Sequence, residues 1–182
     1  MKKNLFPFYF GLLLLVSLYI GLAARTTARF HHEKDLLLKS QDSLMKEELP
    51  HAVTIDKISV KTQFEISYAR LNIDYDERML RLPDMDMDDA LLLLSVSWGC
   101  IGGLIRLLFD RLYGKTSRRK FAPYLIPLLS AITGLVTYCI TYYTPALIFK
   151  HEINYEPGYF IYAALIGGIF TKNLYDRLQS TI

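Results

Sequence analysis

Cysteine is scarce in this chain: Cys100 and Cys139 are the only two, and both fall inside apolar runs. A disulfide framework and a CxxC zinc site are thereby excluded, and each thiol reads as a small apolar packing residue. Signature motifs of catalysis are missing too. The sequence holds no HExxH, no GxSxG and no P-loop, and its four histidines (His31, His32, His51, His151) lie outside the apolar runs. His31 and His32 are adjacent, so on a helix they point apart and make a poor metal pair. Ionisable groups are absent from the middle of every apolar run, where a transporter or proton pump places them. No enzyme, cofactor or metal centre is expected.

What the chain does have is four long apolar runs, over residues 5–24, 90–109, 122–143 and 158–174. About 20 helical residues span the hydrocarbon core of a bilayer, so each run is a candidate transmembrane helix. The expected fold class is mostly α: a polytopic membrane protein with four transmembrane helices and a small extracytoplasmic α+β insert between helices 1 and 2. The domain reading is transmembrane helix 1 over 1–24, the insert over 25–89, and a three-helix membrane module over 90–182. The first run opens on Phe6, Phe8, Tyr9 and Phe10, aromatics suited to the headgroup level. Lys2 and Lys3, the Leu-rich run and Gly21-Leu22-Ala23-Ala24 also fit a cleaved secretory signal; the length of the run favours an uncleaved anchor.

Charge sets the orientation. Residues 25–89 carry ten Lys/Arg against fourteen Asp/Glu, while the rest carries eleven against four. The excess positive charge lies at membrane boundaries and not on a soluble stripe, so direct nucleic-acid binding is not expected. The 110–121 loop holds Arg111, Lys115, Arg118, Arg119 and Lys120, and a loop this short and basic belongs on the cytoplasmic side. Both termini then lie in the cytoplasm, and the insert lies outside. Arg25, Arg29 and Lys34 favour the opposite side for the start of the insert, but more weakly.

Within the insert, residues 26–49 are rich in helix formers, with no Gly or Pro before Pro50, and are expected to form a helix that Pro50 ends. From Ile58 the pattern changes. Val60, Thr62, Phe64, Ile66 and Tyr68, then, after a phase slip at Ala69-Arg70, Leu71, Ile73 and Tyr75, alternate with polar residues, the pattern of half-buried strands. The run 83–89 alternates Asp with Met. It lacks the glycine and the bidentate glutamate of an EF-hand loop, so Asp88 and Asp89 read as helix caps. In the third run, Pro127 is expected to kink the helix. Ser95, Ser97, Ser130, Thr133, Thr137 and Thr141 are candidates for interhelical hydrogen bonds or for lining a pore between subunits.

Two junctions share one pattern. Gly102-Gly103 is followed by Arg106 and Asp110, and Gly167-Gly168 by Lys172 and Asp176. The glycines clear a helix face for close packing against another backbone. The cation and aspartate four residues apart share a face at the cytoplasmic end, and near lipid that pairing relieves the cost of a bare charge. These charges anchor the helix ends or line a cytoplasmic docking surface. The cluster Arg118-Arg119-Lys120 is the candidate docking site for a soluble partner.

The stretches 101–106, 124–138 and 164–178 together resemble small bacterial three-helix membrane modules of the YEATS-associated type, found with anti-phage conflict systems. By architecture alone the chain is also similar to the four-span membrane subunits of Kiwa defence systems. The resemblance covers about residues 90 to 178 and carries no catalytic residue. It implies a non-enzymatic membrane subunit of a bacterial anti-phage defence system. Such a subunit would sit in membrane lipid as a homo-oligomer, sense at the envelope and dock a soluble cytoplasmic partner protein. A membrane-permeabilising pore effector and a purely structural membrane protein are the alternatives.

Overall fold

The computed structural model describes residues 5–46, 48–55, 58–113, 125–149 and 156–181. The elements in chain order are α1 (Leu5–Lys39), α2 (Gln41–Leu44), β1 (Glu48–Ile55), β2 (Ile58–Thr62), α3 (Gln63–Asp76), α4 (Met87–Leu112), α5 (Leu125–Phe149) and α6 (Pro157–Thr181). The protein is thus mostly helical, with one two-stranded sheet. Among the described residues three helices, α1, α4 and α5, are long and apolar enough to cross a membrane; the described apolar stretch of α6, Pro157–Thr171, is shorter.

Helix α1 does not stop at the end of its apolar run. Its 35 residues extend about 52 Å at 1.5 Å per residue, well beyond the roughly 30 Å of a hydrocarbon core. The polar half projects as a continuous rod, and α3 packs along it. The apolar half leaves Phe8, Leu12, Leu15 and Val16 exposed, as α5 does Leu128, Ile132, Val136 and Ile140. Outward apolar faces of this extent suit lipid and not water.

At the centre stands α4, packed against α1, α5 and α6 and the most buried of the three long apolar helices. Its N-terminal half joins Ala24 and Ala28 of α1, Tyr138 of α5 and Phe160 of α6 in one core with its own Ala90, Leu91 and Leu94. Alanines at the α1 contact let that helix approach, and the large side chains fill the remaining space.

The insert corrects several sequence expectations. The expected helix over 26–49 ends earlier: α1 reaches Lys39, α2 adds one turn, and Pro50 lies within β1. Strand β1 pairs with β2 in antiparallel register, Val53 opposite Val60 and Ile55 opposite Ile58, with an irregularity between Glu48 and Val53. The alternating residues from Phe64 to Tyr75 are not strand but helix α3. Phe64, Tyr68, Leu71 and Tyr75 also recur at helical spacing. A capping box decides the contest: the Thr62 hydroxyl accepts the Glu65 N–H at 3.3 Å, and the Glu65 carboxylate accepts the Thr62 N–H at 3.2 Å.

One smaller expectation also changes. The N-cap of α4 is Asp86, without a side-chain capping bond; Asp88 and Asp89 stand in the first turn, where their charge complements the helix dipole. Pro127 is the third described residue of α5, and the residues before Leu125 lie outside the described ones.

Candidate functional site

The glycine pairs singled out from the sequence meet in the α4–α5–α6 core. Successive helical residues are about 100° apart, so a Gly-Gly step clears two adjoining faces of one helix. Gly102 faces α6: a Cβ there would lie 3.0 Å from Ile169 N and 3.1 Å from Gly168 Cα. Gly103 faces α5, where a Cβ would lie 2.6 Å from Ser130 Cβ. On α6 the division repeats. Gly168 lies against Gly99 and Gly102 of α4, and Gly167 against Thr133 and Thr137 of α5.

Two glycines that the paired motif does not include complete this seam. A Cβ on Gly99 would lie 2.5 Å from Ser130 O and 2.9 Å from Gly134 Cα, and one on Gly134 would collide with the Ser95 carbonyl. Spacing offered a signal, since Gly99 lies one helical turn before Gly102 and Gly103. Gly134 had no such company in its own helix.

Hydroxyls tie the same seam. Ser130 donates to Gly168 O at 3.2 Å, and Thr171 lies 2.8 Å from the Thr133 hydroxyl, both between α5 and α6. Ser95 and Thr137 instead bond back to their own helices, at Leu91 O and Thr133 O. Of the expected interhelical hydroxyls, therefore, Ser130 and Thr133 act across the interface.

Near the C-terminal end of α4, Arg106 and Asp110 share a face of the helix as expected. Arg106 Nε lies 3.4 Å from Asp110 Oδ1, with the two side chains 28% and 14% exposed. The contact is electrostatic only, because Nε is buried and makes no hydrogen bond among the described residues. Arg106 Nη2 also reaches Asn173 Oδ1 of α6 at 3.4 Å, so this arginine bridges two helices. Asn173 was not anticipated. Lys172 and Asp176 lie on α6, and their side chains fall outside the described residues, as do Arg118, Arg119 and Lys120 altogether.

A second constellation joins the insert to the core. Thr27 of α1 is fully buried, and its hydroxyl accepts the Leu82 N–H at 3.0 Å. The Tyr75 hydroxyl lies 3.1 Å from Thr27 Oγ1 and donates to Leu82 O at 3.1 Å. These three residues form a closed polar ring between α1, α3 and the α3–α4 connection. Around it, Tyr75 stacks on Phe30 at 4.1 Å, and the Arg81 guanidinium lies over Tyr75 while pairing with Asp76. His31 Nε2 lies 2.8 Å from Met85 O, and Lys34 sits over the rings of Phe30 and Tyr68. Below the ring, Leu82 and Met85 pack against the core of α1 and α4. Sequence reasoning passed over Thr27 and Tyr75, because their roles depend on a partner some fifty residues away.

The end of the bundle at the α4 N-terminus is tied separately by Tyr142, whose hydroxyl donates to Asp88 Oδ1 at 2.8 Å. On the α1–α4 seam, Trp98 packs against Gly21, and its Nε1 is buried without an acceptor among the described residues. No group of three or more His, Cys, Asp or Glu side chains converges to hold a metal among the described residues. No family model, curated protein or solved structure matches the chain.

Proposed function

We propose that this chain is a non-enzymatic membrane transducer, in which an extracytoplasmic insert passes its state through α4 to a cytoplasmic docking surface. The observation that carries the reading is the ring of Thr27, Tyr75 and Leu82. It bonds α3 to α1 and to Leu82, which packs on the core that α1 and α4 share, so a shift of α3 bears on α1 directly and on α4 through Leu82. Helix α4 then runs to Arg106 and Asp110 and on toward the basic 110–121 loop. In this reading α6 is a fourth span, the membrane is the bacterial inner membrane, and both termini are cytoplasmic.

The subunit is homo-oligomeric in this reading, its exposed α1 and α5 faces being shared between lipid and neighbouring copies. Arg118, Arg119 and Lys120 dock a soluble partner protein. Membership of an anti-phage defence system rests on the resemblance of residues 90 to 178. A pore is the less favoured reading, because α4, α5 and α6 meet at backbone distance along the glycine seam. A conducting path would have to run between subunits.

The test is phage challenge of cells carrying the native locus. Thr27→Val and the triple alanine variant of Arg118, Arg119 and Lys120 should each abolish protection while the protein stays in the membrane fraction. Full protection with both variants would overturn the transducer reading. Dye release from liposomes holding the pure protein would favour the pore instead.

A further inference from the structure

The connection between α3 and α4 carries a feature that the transducer reading leaves unused. Met79 is 97% exposed, far more than Leu36, Leu38 and Met45, the other large apolar side chains exposed on the projecting part among the described residues, at 41–45%. A lone exposed apolar residue is ordinary on a water-facing surface. What sets Met79 apart is its height along α1.

The apolar run of α1 ends at Ala24, and Thr27 stands three residues further on. At 1.5 Å per residue that places Thr27 about 4.5 Å past the hydrocarbon boundary. The headgroup layer is about 5–7 Å deep on each side, so Thr27 lies within it. Tyr75 and Leu82 both bond to Thr27, one before Met79 in the chain and one after. The 77–82 turn is therefore held at headgroup height from both sides. Within the turn the Arg78 N–H donates to Tyr75 O at 3.2 Å and the Arg81 guanidinium lies over the Tyr75 ring, so the turn is folded back on Tyr75.

We propose that the 77–82 turn is a lipid-contacting site, with Met79 inserted at the headgroup–acyl boundary of the leaflet on the insert side. The turn carries Glu77, Arg78 and Arg81 beside Asp76, and Arg81 is already paired with Asp76. This balance of charge gives no preference for anionic lipid, so the occupant is the apolar margin of a zwitterionic phospholipid such as phosphatidylcholine. The Arg78 side chain is exposed beside Met79 and meets the lipid phosphate. Through Tyr75 and Leu82, the depth of this contact bears on the same ring that joins the insert to α4. The site thus gives the sensor a readout of bilayer packing.

The inference rests on the membrane-spanning reading of α1 and α5, and the experiment separates the two. Spin labels are placed by Met79→Cys, Leu135→Cys and Asp42→Cys, each in a Cys100→Ala/Cys139→Ala background and in phosphatidylcholine nanodiscs. Leu135 is exposed on α5, and Asp42 is exposed on α2. Accessibility to oxygen relative to a water-soluble nickel chelate should be several-fold higher at Met79 than at Asp42, and close to that at Leu135. A water-like Met79 beside a lipid-like Leu135 would overturn the lipid-contact site alone. Water-like values at both would overturn the membrane-spanning reading, and the site with it.

Discussion

Thr27 and Tyr75 stand 48 residues apart in sequence, yet their hydroxyls lie 3.1 Å from each other, with Thr27 fully buried. Because Thr27 also accepts the Leu82 N–H, replacing it with valine keeps the shape and removes the acceptor. A buried N–H without a partner costs about 1–3 kcal/mol. Thr27→Val should therefore loosen the insert while leaving the α4–α5–α6 seam intact. Amide exchange checks this: Leu82 and its neighbours should exchange faster, with positions 99–104 unchanged. Equal protection at Leu82 in both proteins would show that the ring contributes nothing to the joint.

The capping box of α3 makes the insert sensitive to acid. Glu65 is held below the usual carboxylate range, first by accepting the Lys61 backbone N–H and next by that of Thr62. A carboxyl whose folded value is depressed stabilises the fold above its unfolded value, and that contribution is lost as pH falls through the folded one. The stability of α3 should thus be steady at neutral pH and decline below the ordinary glutamate range near pH 4. Glu65→Gln should remove this part of the pH dependence, and Thr62→Ala should cost about 1 kcal/mol at neutral pH. Circular dichroism of the purified protein across an acid titration measures both.

Asp84, in the connection to α4, holds φ at 64°, the one positive value outside glycine among the described residues. The left-handed region costs an ordinary L-residue about 1–2 kcal/mol, and glycine essentially nothing. Asp84→Gly should leave the melting temperature unchanged or raise it, and Asp84→Val should lower it. A valine variant as stable as the parent would mean that the connection can be rebuilt without that geometry.

Periodicity in the sequence made the helices legible, and the insert much less so. The apolar runs of α1, α4 and α5 declare themselves by length alone, since no other common structure needs twenty such residues. Phe64 to Tyr75 misleads because its apolar residues satisfy both a two-residue and a 3.6-residue repeat. Thr62 and Glu65, spaced as a capping box, were the signal that favours helix. Gly102, Gly103, Gly167 and Gly168 were legible as packing residues, but their division between two neighbours each is a property of three helices in space. Thr27 looked like any residue past the end of a span. Its importance comes from Tyr75 and Leu82, which chain topology and not local pattern brings to it.

Glycines offer the sharpest contrast, because the same substitution should have opposite effects at two sites. At Gly99 an added methyl would lie 2.5 Å from Ser130 O and 2.9 Å from Gly134 Cα, both backbone atoms that cannot swing aside. Gly99→Ala should force α4 and α5 apart and cost about 1–3 kcal/mol, the range for overpacking a filled core. At Gly11 an added methyl meets nothing within 4 Å, so Gly11→Ala should be neutral or gain up to about 1 kcal/mol from helix propensity. Unfolding of the purified protein by a denaturing detergent measures both on one scale. Were Gly99→Ala as stable as Gly11→Ala, the three helices would not be in backbone contact at that level, and the seam would be looser than its glycines require.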